Sequence, residues 1–209
     1  MAIEPFPPVN YADEDGLLAV GGDLSPERLL LAYNSGIFPW FSEGQPILWW
    51  SPDPRFVLFP QELLVSKSMQ KVIRRGEFEI TMNTDFAGVI EHCARIKRKG
   101  QRGTWITEEM KRAYIHLHQL GHALSVEARQ NGELVGGLYG VKVLGSRGAV
   151  FCGESMFSLV PNASKAAFIS LLQMQQFAII DCQVYTEHLE SLGARMISRD
   201  EYLKYLPSK

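Results

Sequence analysis

A polar pair at the end of an apolar strand is the first feature that could carry chemistry. Asp181 and Gln183 flank Cys182 after the apolar run Phe177-Ala-Ile-Ile180. Because side chains at i and i+2 share one face of a strand, Asp181 and Gln183 should point together, with Cys182 on the other face. Such a pair can orient a nucleophile and take up or relay its proton. It can also be a strand-end pair that bonds loop backbone, and the spacing alone does not separate these readings.

A single acid, Glu154, interrupts the apolar strand Phe151-Cys-Gly-Glu-Ser-Met-Phe157. Burial of an unpaired carboxylate is costly, so Glu154 should have a cationic or donor partner. That partner is either an internal arginine, which is the default expectation, or the ammonium group of a substrate.

Four tryptophans are either walls of an apolar pocket or ordinary core and interface residues. They are Trp40, Trp49, Trp50 and Trp105.

Two other patterns do not support the chemistry they suggest. The glycines of Gly136-Gly-Leu-Tyr-Gly140 lie inside a strand pattern, which favours close backbone packing or a bulge over a nucleotide-binding loop. His116 and His118 do not share a helix face at a spacing of two, and His188 lies on a separate helix pattern. We therefore expect neither a metal site nor a cofactor.

Two basic clusters, each without an intervening acid, could contact phosphate groups. The first comprises Lys67, Lys71, Arg74 and Arg75. The second comprises Arg95, Lys97, Arg98, Lys99 and Arg102. Cations are also favoured at a helix C-terminus without any ligand, so a solvated helix end is an equally good interpretation.

The elements that must position these residues begin with a proline-rich, acidic lead-in over residues 1–20. A helix should follow, capped by Ser25 and stopped at Gly36, and residues 37–55 should form an irregular aromatic stretch. Further on, periodicity predicts strands over 55–60 and 77–82 and helices over 66–75, 86–96 and 108–120. Asn83 and Thr84 should cap the helix at 86–96, and Thr107 the one at 108–120.

From residue 122 onward apolar residues alternate with polar ones, which is the pattern of β-strands. Asn131-Gly132 indicates a hairpin turn between strands, and a third strand follows at 149–153. A helix over 164–175, a strand over 177–184, a helix over 185–192 and a strand over 194–198 complete the order β-β-β-α-β-α-β. Ser198-Arg-Asp-Glu201 predicts a last short helix. This order indicates a mixed α/β (α+β) sheet and is the core of the acetyltransferase-like (GNAT-like) fold.

Composition limits the classes of protein that fit. The chain has 209 residues, 46% hydrophobic and 21% charged, which is typical of a globular protein and excludes wholesale disorder. Its 21 basic and 23 acidic residues give a net charge of −2, which does not indicate a nucleic-acid binder by itself. The three cysteines suit neither a disulfide framework nor a metal knuckle, and no signal peptide or membrane span is evident, so a cytoplasmic location is expected.

Eight segments, in order along nearly the whole chain, resemble the bacterial leucyl/phenylalanyl-tRNA-protein transferase family. They are Gly21-Gly-Asp-Leu-Ser-Pro26, Gly36-Ile-Phe-Pro-Trp-Phe41, Ile47-Leu-Trp-Trp-Ser-Pro-Asp-Pro-Arg55, Thr104-Trp-Ile-Thr107, Leu134-Val-Gly-Gly137, Phe151-Cys-Gly-Glu-Ser-Met-Phe157, Asn162-Ala-Ser-Lys165 and Ile180-Asp-Cys-Gln-Val184. The resemblance implies transfer of leucine, phenylalanine or some methionine from aminoacyl-tRNA to the N-terminal Arg or Lys of a protein, which marks it for degradation in the N-degron pathway. It also implies a small N-terminal domain over 1–62 packed on a GNAT-like domain over 63–209.

The resemblance also implies roles for individual residues. Asp181 and Gln183 take the catalytic roles. Chemically, Gln183 can accept a hydrogen bond from the attacking amine, while Asp181 orients the Gln183 amide and offsets the developing positive charge. Residues expected to bind the aminoacyl-adenosine end are Trp40, Trp105, Leu138, Glu154, Met156, Phe168 and Leu171. Residues expected to bind the acceptor stem of the tRNA are Lys71, Arg74, Arg75, Arg95, Lys97 and Arg98. The expected partners are aminoacyl-tRNA and proteins with N-terminal Arg or Lys, without a membrane, and the chain is expected to be a monomer.

Two alternatives from other classes stay open. A CoA-dependent N-acetyltransferase would use the same fold, but it needs a glycine-rich turn at a helix N-terminus, and Val160-Pro-Asn-Ala-Ser164 has no glycine. A non-catalytic tRNA- or degron-binding module would keep the basic clusters and the pocket without needing Asp181 beside Gln183.

Overall fold

The computed structural model describes residues 4–96, 104–174 and 176–208. The helices are α1 Pro26–Asn34, α2 Lys67–Arg74, α3 Phe86–Arg95, α4 Glu108–Gln119, α5 Ala163–Gln173, α6 Glu187–Glu190 and α7 Arg199–Leu203. The strands are β1 Leu17–Val20, β2 Phe38–Pro39, β3 Leu48–Trp50, β4 Arg55–Leu58, β5 Glu79–Met82, β6 Ala123–Gln130, β7 Glu133–Gly145, β8 Gly148–Ser158, β9 Phe177–Gln183 and β10 Arg195–Ile197.

A large mixed sheet forms the centre of the fold. Its order is β10-β4-β9-β8-β7-β6-β5, and every neighbouring pair is antiparallel except β8 and β9, which run parallel. A second sheet has the order β1-β3-β2. The predicted α/β class and the predicted order of elements after residue 122 are therefore confirmed.

Local capping signals correctly located the helices that follow Ser25, Thr107 and Ser198, because a cap depends only on residues within one turn. Ser25, Ser66, Thr107 and Ser198 each accept a backbone N–H from the first turn of the following helix. The predicted cap of α3 was wrong. Asp85 caps α3, its Oδ1 accepting from Gly88 N at 2.9 Å, whereas Asn83 and Thr84 bond to residues of β6.

The N-terminal region is more regular than the sequence predicted. Residues expected to be a lead-in and an irregular aromatic stretch contribute β1, β2 and β3 to the small sheet. Their two to four residues are too short for a period to be recognised, and their pairing partners lie far apart in the chain. β4, which falls inside the predicted first domain, lies between β10 and β9 of the large sheet. The division at residue 62 stays a prediction.

Helices cover both faces of the large sheet, and each face has its own apolar core. The first face packs against α1, α3, α4 and α7, with Tyr33, Trp49, Tyr114 and Tyr202 among its buried residues. The second face packs against α2, α5 and α6.

Among the helices that the structure describes, none is long and apolar enough to cross a lipid bilayer.

The parallel strands β8 and β9 separate before they end. Their last paired residues are Cys152 and Asp181, after which β8 continues to Ser158 beside β7 alone. On its other side β9 has an irregularity against β4, where Val57 pairs with Asp181 and Phe56 with Gln183, which leaves Cys182 as an extra residue. Gln183 itself adopts φ +64°, in the left-handed region. The predicted polar pair therefore lies at a gap in the sheet.

Candidate active site

A cavity of about 450 Å³ fills the gap between β8 and β9. Most of the predicted site residues line it, and these are Trp40, Trp105, Leu138, Glu154, Met156, Phe168, Asp181 and Gln183. Leu171 lies instead in the core of the second face, where it is fully buried. The four tryptophans fall into two groups, since Trp40 and Trp105 line the cavity whereas Trp49 and Trp50 make structural contacts. Trp49 is buried in the first core and donates Nε1–H to Gly21 O at 2.8 Å, and Trp50 donates Nε1–H to Trp40 O at 2.7 Å.

The cavity has two chemically different ends. Apolar side chains from the second face form one end, namely Leu138, Met156, Phe168, Ile180 and Leu189. Aromatic side chains form the other end, namely Phe38, Trp40 and Trp105. Trp40 is 39% exposed and Trp105 only partly buried, so both rings remain accessible to a ligand. The geometry suits a molecule with an apolar part and a flat ring system.

The Asp181 carboxylate is saturated by protein donors. Oδ1 accepts from Arg55 Nε at 2.8 Å and from the backbone N–H of Gln183 at 2.9 Å. Oδ2 accepts from Arg55 Nη2 at 2.7 Å and from the Tyr202 hydroxyl at 2.9 Å. Asp181 is 0% exposed and Arg55 1%. Uptake of a substrate proton by this carboxylate would disrupt a buried bidentate ion pair, so Asp181 is suited to fixing the backbone at Gln183.

The Gln183 side chain is oriented by Glu154. Nε2 of Gln183 donates to Glu154 Oε1 at 2.7 Å. Within the described part of the chain, Gln183 Oε1 makes no hydrogen bond, and the residue lines the cavity. The expectation that Asp181 orients this amide was therefore wrong, because Asp181 bonds the backbone of Gln183 and Glu154 bonds its side chain. The alternation argument itself holds, since Asp181 and Gln183 reach the first face while Cys182 packs against the second.

Glu154 has three neutral donors around it. Besides Gln183, the hydroxyl of Tyr33 donates to Oε1 at 2.7 Å and that of Tyr114 to Oε2 at 3.0 Å. The default expectation of an internal arginine partner was wrong, since the buried Arg55 pairs with Asp181. Burial raises the pKa of Glu154 to about 7, although the hydrogen bonds from both tyrosines and from Gln183 oppose that rise. The carboxylate thus changes charge near neutral pH.

Sequence reasoning missed several residues around the site. Arg55 follows a proline and opens the apolar strand Arg55-Phe-Val-Leu58, and a cation there should have indicated a buried acidic partner. Tyr33 and Tyr114 looked like ordinary core positions on amphipathic helices, and no local pattern marks them. Cys182, which the sequence placed on the face opposite Asp181 and Gln183, packs against the second core and also lines the cavity, and burial raises the pKa of its thiol far above the usual range.

The two basic clusters differ in the structure. Lys71, Arg74 and Arg75 are exposed on α2, which packs on α5. Arg75 lies 3.7 Å from Glu77. Arg95 forms an exposed ion pair with Glu91 at 2.6 Å, and Lys97, Arg98, Lys99 and Arg102 lie outside the described residues. The α2 cluster is therefore the better candidate for a phosphate-binding surface.

The glycines of β7 serve packing. A Cβ built on Gly136 would lie 2.5 Å from Ala163 Cβ at the start of α5. The interpretation of Gly136-Gly137 as a close-packing motif is confirmed.

Comparison with known proteins gives consistent matches over nearly the whole chain. The family model described as leucyl/phenylalanyl-tRNA protein transferase matches residues 57–207, and the model of that family's N-terminal domain matches 22–53. The leucyl/phenylalanyl-tRNA–protein transferase of Flavobacterium johnsoniae is 59% identical over 98% of this chain and 96% of its own. That of Syntrophus aciditrophicus is 60% identical over 94% of this chain and 82% of its own.

Similarity to solved structures is weaker. A conserved protein of unknown function from Bacteroides thetaiotaomicron has a TM-score of 0.48 and 15% identity, over 75% of this chain and 56% of its own. A ribosomal-protein-alanine N-acetyltransferase from Brucella melitensis has a TM-score of 0.38 and 14% identity, over 63% of this chain and 92% of its own.

Proposed function

The chain belongs to the leucyl/phenylalanyl-tRNA protein transferase family, and we propose that it transfers leucine or phenylalanine, with some methionine, to N-terminal Arg or Lys residues. The donor is an aminoacyl-tRNA and the acceptor a protein whose new N-terminal residue marks it for degradation in the N-degron pathway. The observation that carries this proposal is Gln183 Oε1, an acceptor without a protein partner in the described chain, at the wall of a two-ended cavity.

The reaction is aminolysis of an ester that is already activated. The acceptor α-amine attacks the ester carbonyl carbon, so a C–N bond forms and the C–O bond to the ribose of the terminal adenosine breaks. The amine loses one proton and the leaving ribose oxygen gains one. Because an α-amino group has a pKa of about 7.7–8.0, a useful fraction is neutral at pH 7. No covalent enzyme intermediate is needed.

Gln183 assists by holding the nucleophile. Its Oε1 accepts a hydrogen bond from the attacking amine and directs the nitrogen lone pair at the ester. Glu154 keeps the amide in this orientation by accepting from Nε2 at 2.7 Å. Asp181 acts as a positioning residue that fixes the backbone N–H of Gln183 at 2.9 Å. Accumulated positive charge on the amine is stabilised by the nearby Glu154 carboxylate.

The two ends of the cavity bind different parts of the aminoacyl-tRNA donor. The side chain of leucine or phenylalanine enters the apolar end against Leu138, Met156 and Phe168, and the adenine ring lies at Trp40 and Trp105. An apolar pocket separates side chains that differ by a methylene by only about 1–3 kcal/mol. Some use of methionine is therefore expected.

Only a short part of the tRNA needs to be held, because the ester is at its 3′ end. The exposed cations Lys71, Arg74 and Arg75 on α2 are the proposed contacts to the acceptor stem, with Arg95, Lys97 and Arg98 a second set. Phosphate contacts of this kind carry no sequence information.

We propose a cytoplasmic monomer with a small N-terminal domain over residues 1–62.

A CoA-dependent acetyltransferase is the rival on the same fold. A pyrophosphate would need free backbone N–H groups at the start of α5. There the N–H of Ala163 donates to Val160 O at 3.4 Å and that of Ser164 to Ser158 Oγ at 3.1 Å. These occupied donors favour the aminoacyl-tRNA reaction.

A two-donor assay tests the proposed function. The protein is mixed with an N-terminal-Arg peptide and either phenylalanyl-tRNA or acetyl-CoA, and the product mass is measured. Addition of a phenylalanyl residue with the tRNA alone is expected. Acetylation would support the rival enzyme, and binding of charged tRNA without any product would support a non-catalytic module.

A further inference from the structure

Two buried tyrosines meet at the carboxylate of Glu154. Tyr33 lies on α1 and Tyr114 on α4, and their exposed fractions are 1% and 0%. Each hydroxyl donates to a different oxygen of Glu154, and the two hydroxyls also contact each other. Neither tyrosine is part of the cavity wall. They do not reach a bound substrate there, but Glu154, which accepts a hydrogen bond from each of them, is part of that wall.

The charge of Glu154 depends on these donors. A protonated Glu154 carries a hydroxyl of its own, which can donate to the amide oxygen of Gln183, whereas the ionised carboxylate can only accept. Among the residues that the structure describes, no cation forms an ion pair with Glu154, and Arg55 is paired with Asp181. Asp181 raises the pKa of Glu154 by charge repulsion. Cys152 lies on the same strand, Tyr139 stacks edge-on to Tyr114, and Arg55 and Tyr202 are both bonded to Asp181.

We propose that Tyr33 and Tyr114 are positioning residues of the transfer reaction, which through Glu154 hold the Gln183 amide with Oε1 turned to the cavity. This inference rests on the proposed function. An ionised Glu154 admits only Nε2 of Gln183 as its partner, because it can accept but not donate. Without that constraint the amide can rotate by half a turn and present its N–H₂ group to the attacking amine. That group would donate to the nitrogen lone pair and so occupy the electrons that must attack the ester.

The arrangement also ties the N-terminal segment to the catalytic centre. α1 precedes the large sheet in the chain, and Tyr33 and Glu154 are 121 residues apart. Through Tyr33, α1 contributes a hydroxyl that bonds Glu154 on β8, which in turn bonds the side chain of Gln183 on β9. The N-terminal segment would then be needed for turnover as well as for stability.

The test uses Tyr33→Phe and Tyr114→Phe in the full chain, which keep the rings and their packing. The rate of transfer from phenylalanyl-tRNA to an Arg peptide is measured between pH 6 and 9, and each variant is expressed as a ratio to wild type. The titration of the acceptor amine cancels in this ratio. A lost hydrogen bond to a charged group corresponds to roughly one pKa unit, so kcat should fall about 10-fold below pH 7 and approach the wild-type value at pH 9. KM for the donor should stay unchanged.

A double-mutant cycle checks that the effect passes through Glu154. In a Glu154→Gln background, Tyr33→Phe should cause no further loss of kcat. Tyr202→Phe is the matched control, since it removes a buried hydroxyl from Asp181 and its rate ratio should be independent of pH.

A pH-independent rate ratio in both tyrosine variants, or additive losses in the double-mutant cycle, would overturn this inference. Neither result would contradict the proposed transfer activity of the wild-type protein. Absence of transfer in the wild-type protein would remove the proposed function, and this inference with it.

Discussion

The side-chain amide of Gln183 donates a hydrogen bond to Glu154 Oε1 across 2.7 Å, at the point where β8 and β9 separate. Gln183 lines the cavity, its Oε1 makes no hydrogen bond within the described part of the chain, and the orientation of its amide depends on a buried acid. The proposed chemistry follows from that orientation, since an amide oxygen can hold an amine that a saturated carboxylate such as Asp181 cannot.

Asp181 should prove essential for stability. Asp181→Asn leaves the Arg55 guanidinium buried without an anion, and breaking such a pair costs about 3–5 kcal/mol of unfolding free energy. Urea denaturation measures the loss. Glu62→Gln is the control, because its bidentate pair with Arg195 is largely exposed and its loss should change stability little. Equal stability of Asp181→Asn and wild type would show that the Arg55–Asp181 pair does not hold the site together.

Glu154 should make stability depend on pH. Its pKa is about 7 in the folded protein against an ordinary value of 4.5, so between these values the native state binds more protons than the unfolded state. Stability therefore falls as pH rises through this window, by an amount on the order of 3 kcal/mol. Glu154→Gln lacks this titration, so its unfolding free energy relative to wild type should increase from pH 4.5 to 7. A difference that stays constant across this range would argue against a raised pKa.

Two tryptophans should separate donor binding from core packing. Trp105→Ala should weaken use of leucyl- and phenylalanyl-tRNA by about 2–4 kcal/mol, the scale for truncating a large side chain at a contact centre. Trp49→Ala should instead lower the unfolding free energy by about 3–5 kcal/mol, because Trp49 is buried in the first core. Steady-state kinetics beside thermal melts measure both. If Trp105→Ala lost stability without losing donor use, Trp105 would be a core residue.

The α2 cluster should set the salt dependence of tRNA binding. Each neutralised phosphate contributes about 0.7–0.9 to the magnitude of the slope of log K against log salt, so two to four contacts give a slope of about −1.4 to −3.6. Changing Lys71, Arg74 and Arg75 to Ala should flatten this slope and raise KM for aminoacyl-tRNA, while activity on an aminoacyl-adenosine mimic survives. Arg147→Ala with Lys204→Ala removes exposed positive charge elsewhere and should leave the slope unchanged. Equal slopes in both variants would mean that the α2 cations are solvated surface.

Short-range features of this fold were predictable from the sequence, and long-range contacts were not. The caps Ser25 and Thr107 and the shared face of Asp181 and Gln183 depend on two to three residues of local geometry. The partner of Asp181 depends on β4 lying beside β9, which brings Arg55 to it across 126 residues of chain. Likewise, Glu154 could be recognised as a buried acid, but its three donors come from α1, α4 and β9. Only the assembled sheet decides which residue orients Gln183.

The most direct measurement of the central claim is the single-turnover transfer rate of Gln183→Ala with a saturating aminoacyl-adenosine donor and an N-terminal-Arg peptide. Saturation removes donor binding from the comparison, and the exposed cations of α2 play no part with so small a donor. We expect the rate to fall by about 10²–10⁴-fold, the range for a group positioned at the reacting atoms, with an unchanged melting temperature. A near-wild-type rate in Gln183→Ala would contradict the claim that the Gln183 amide holds the attacking amine.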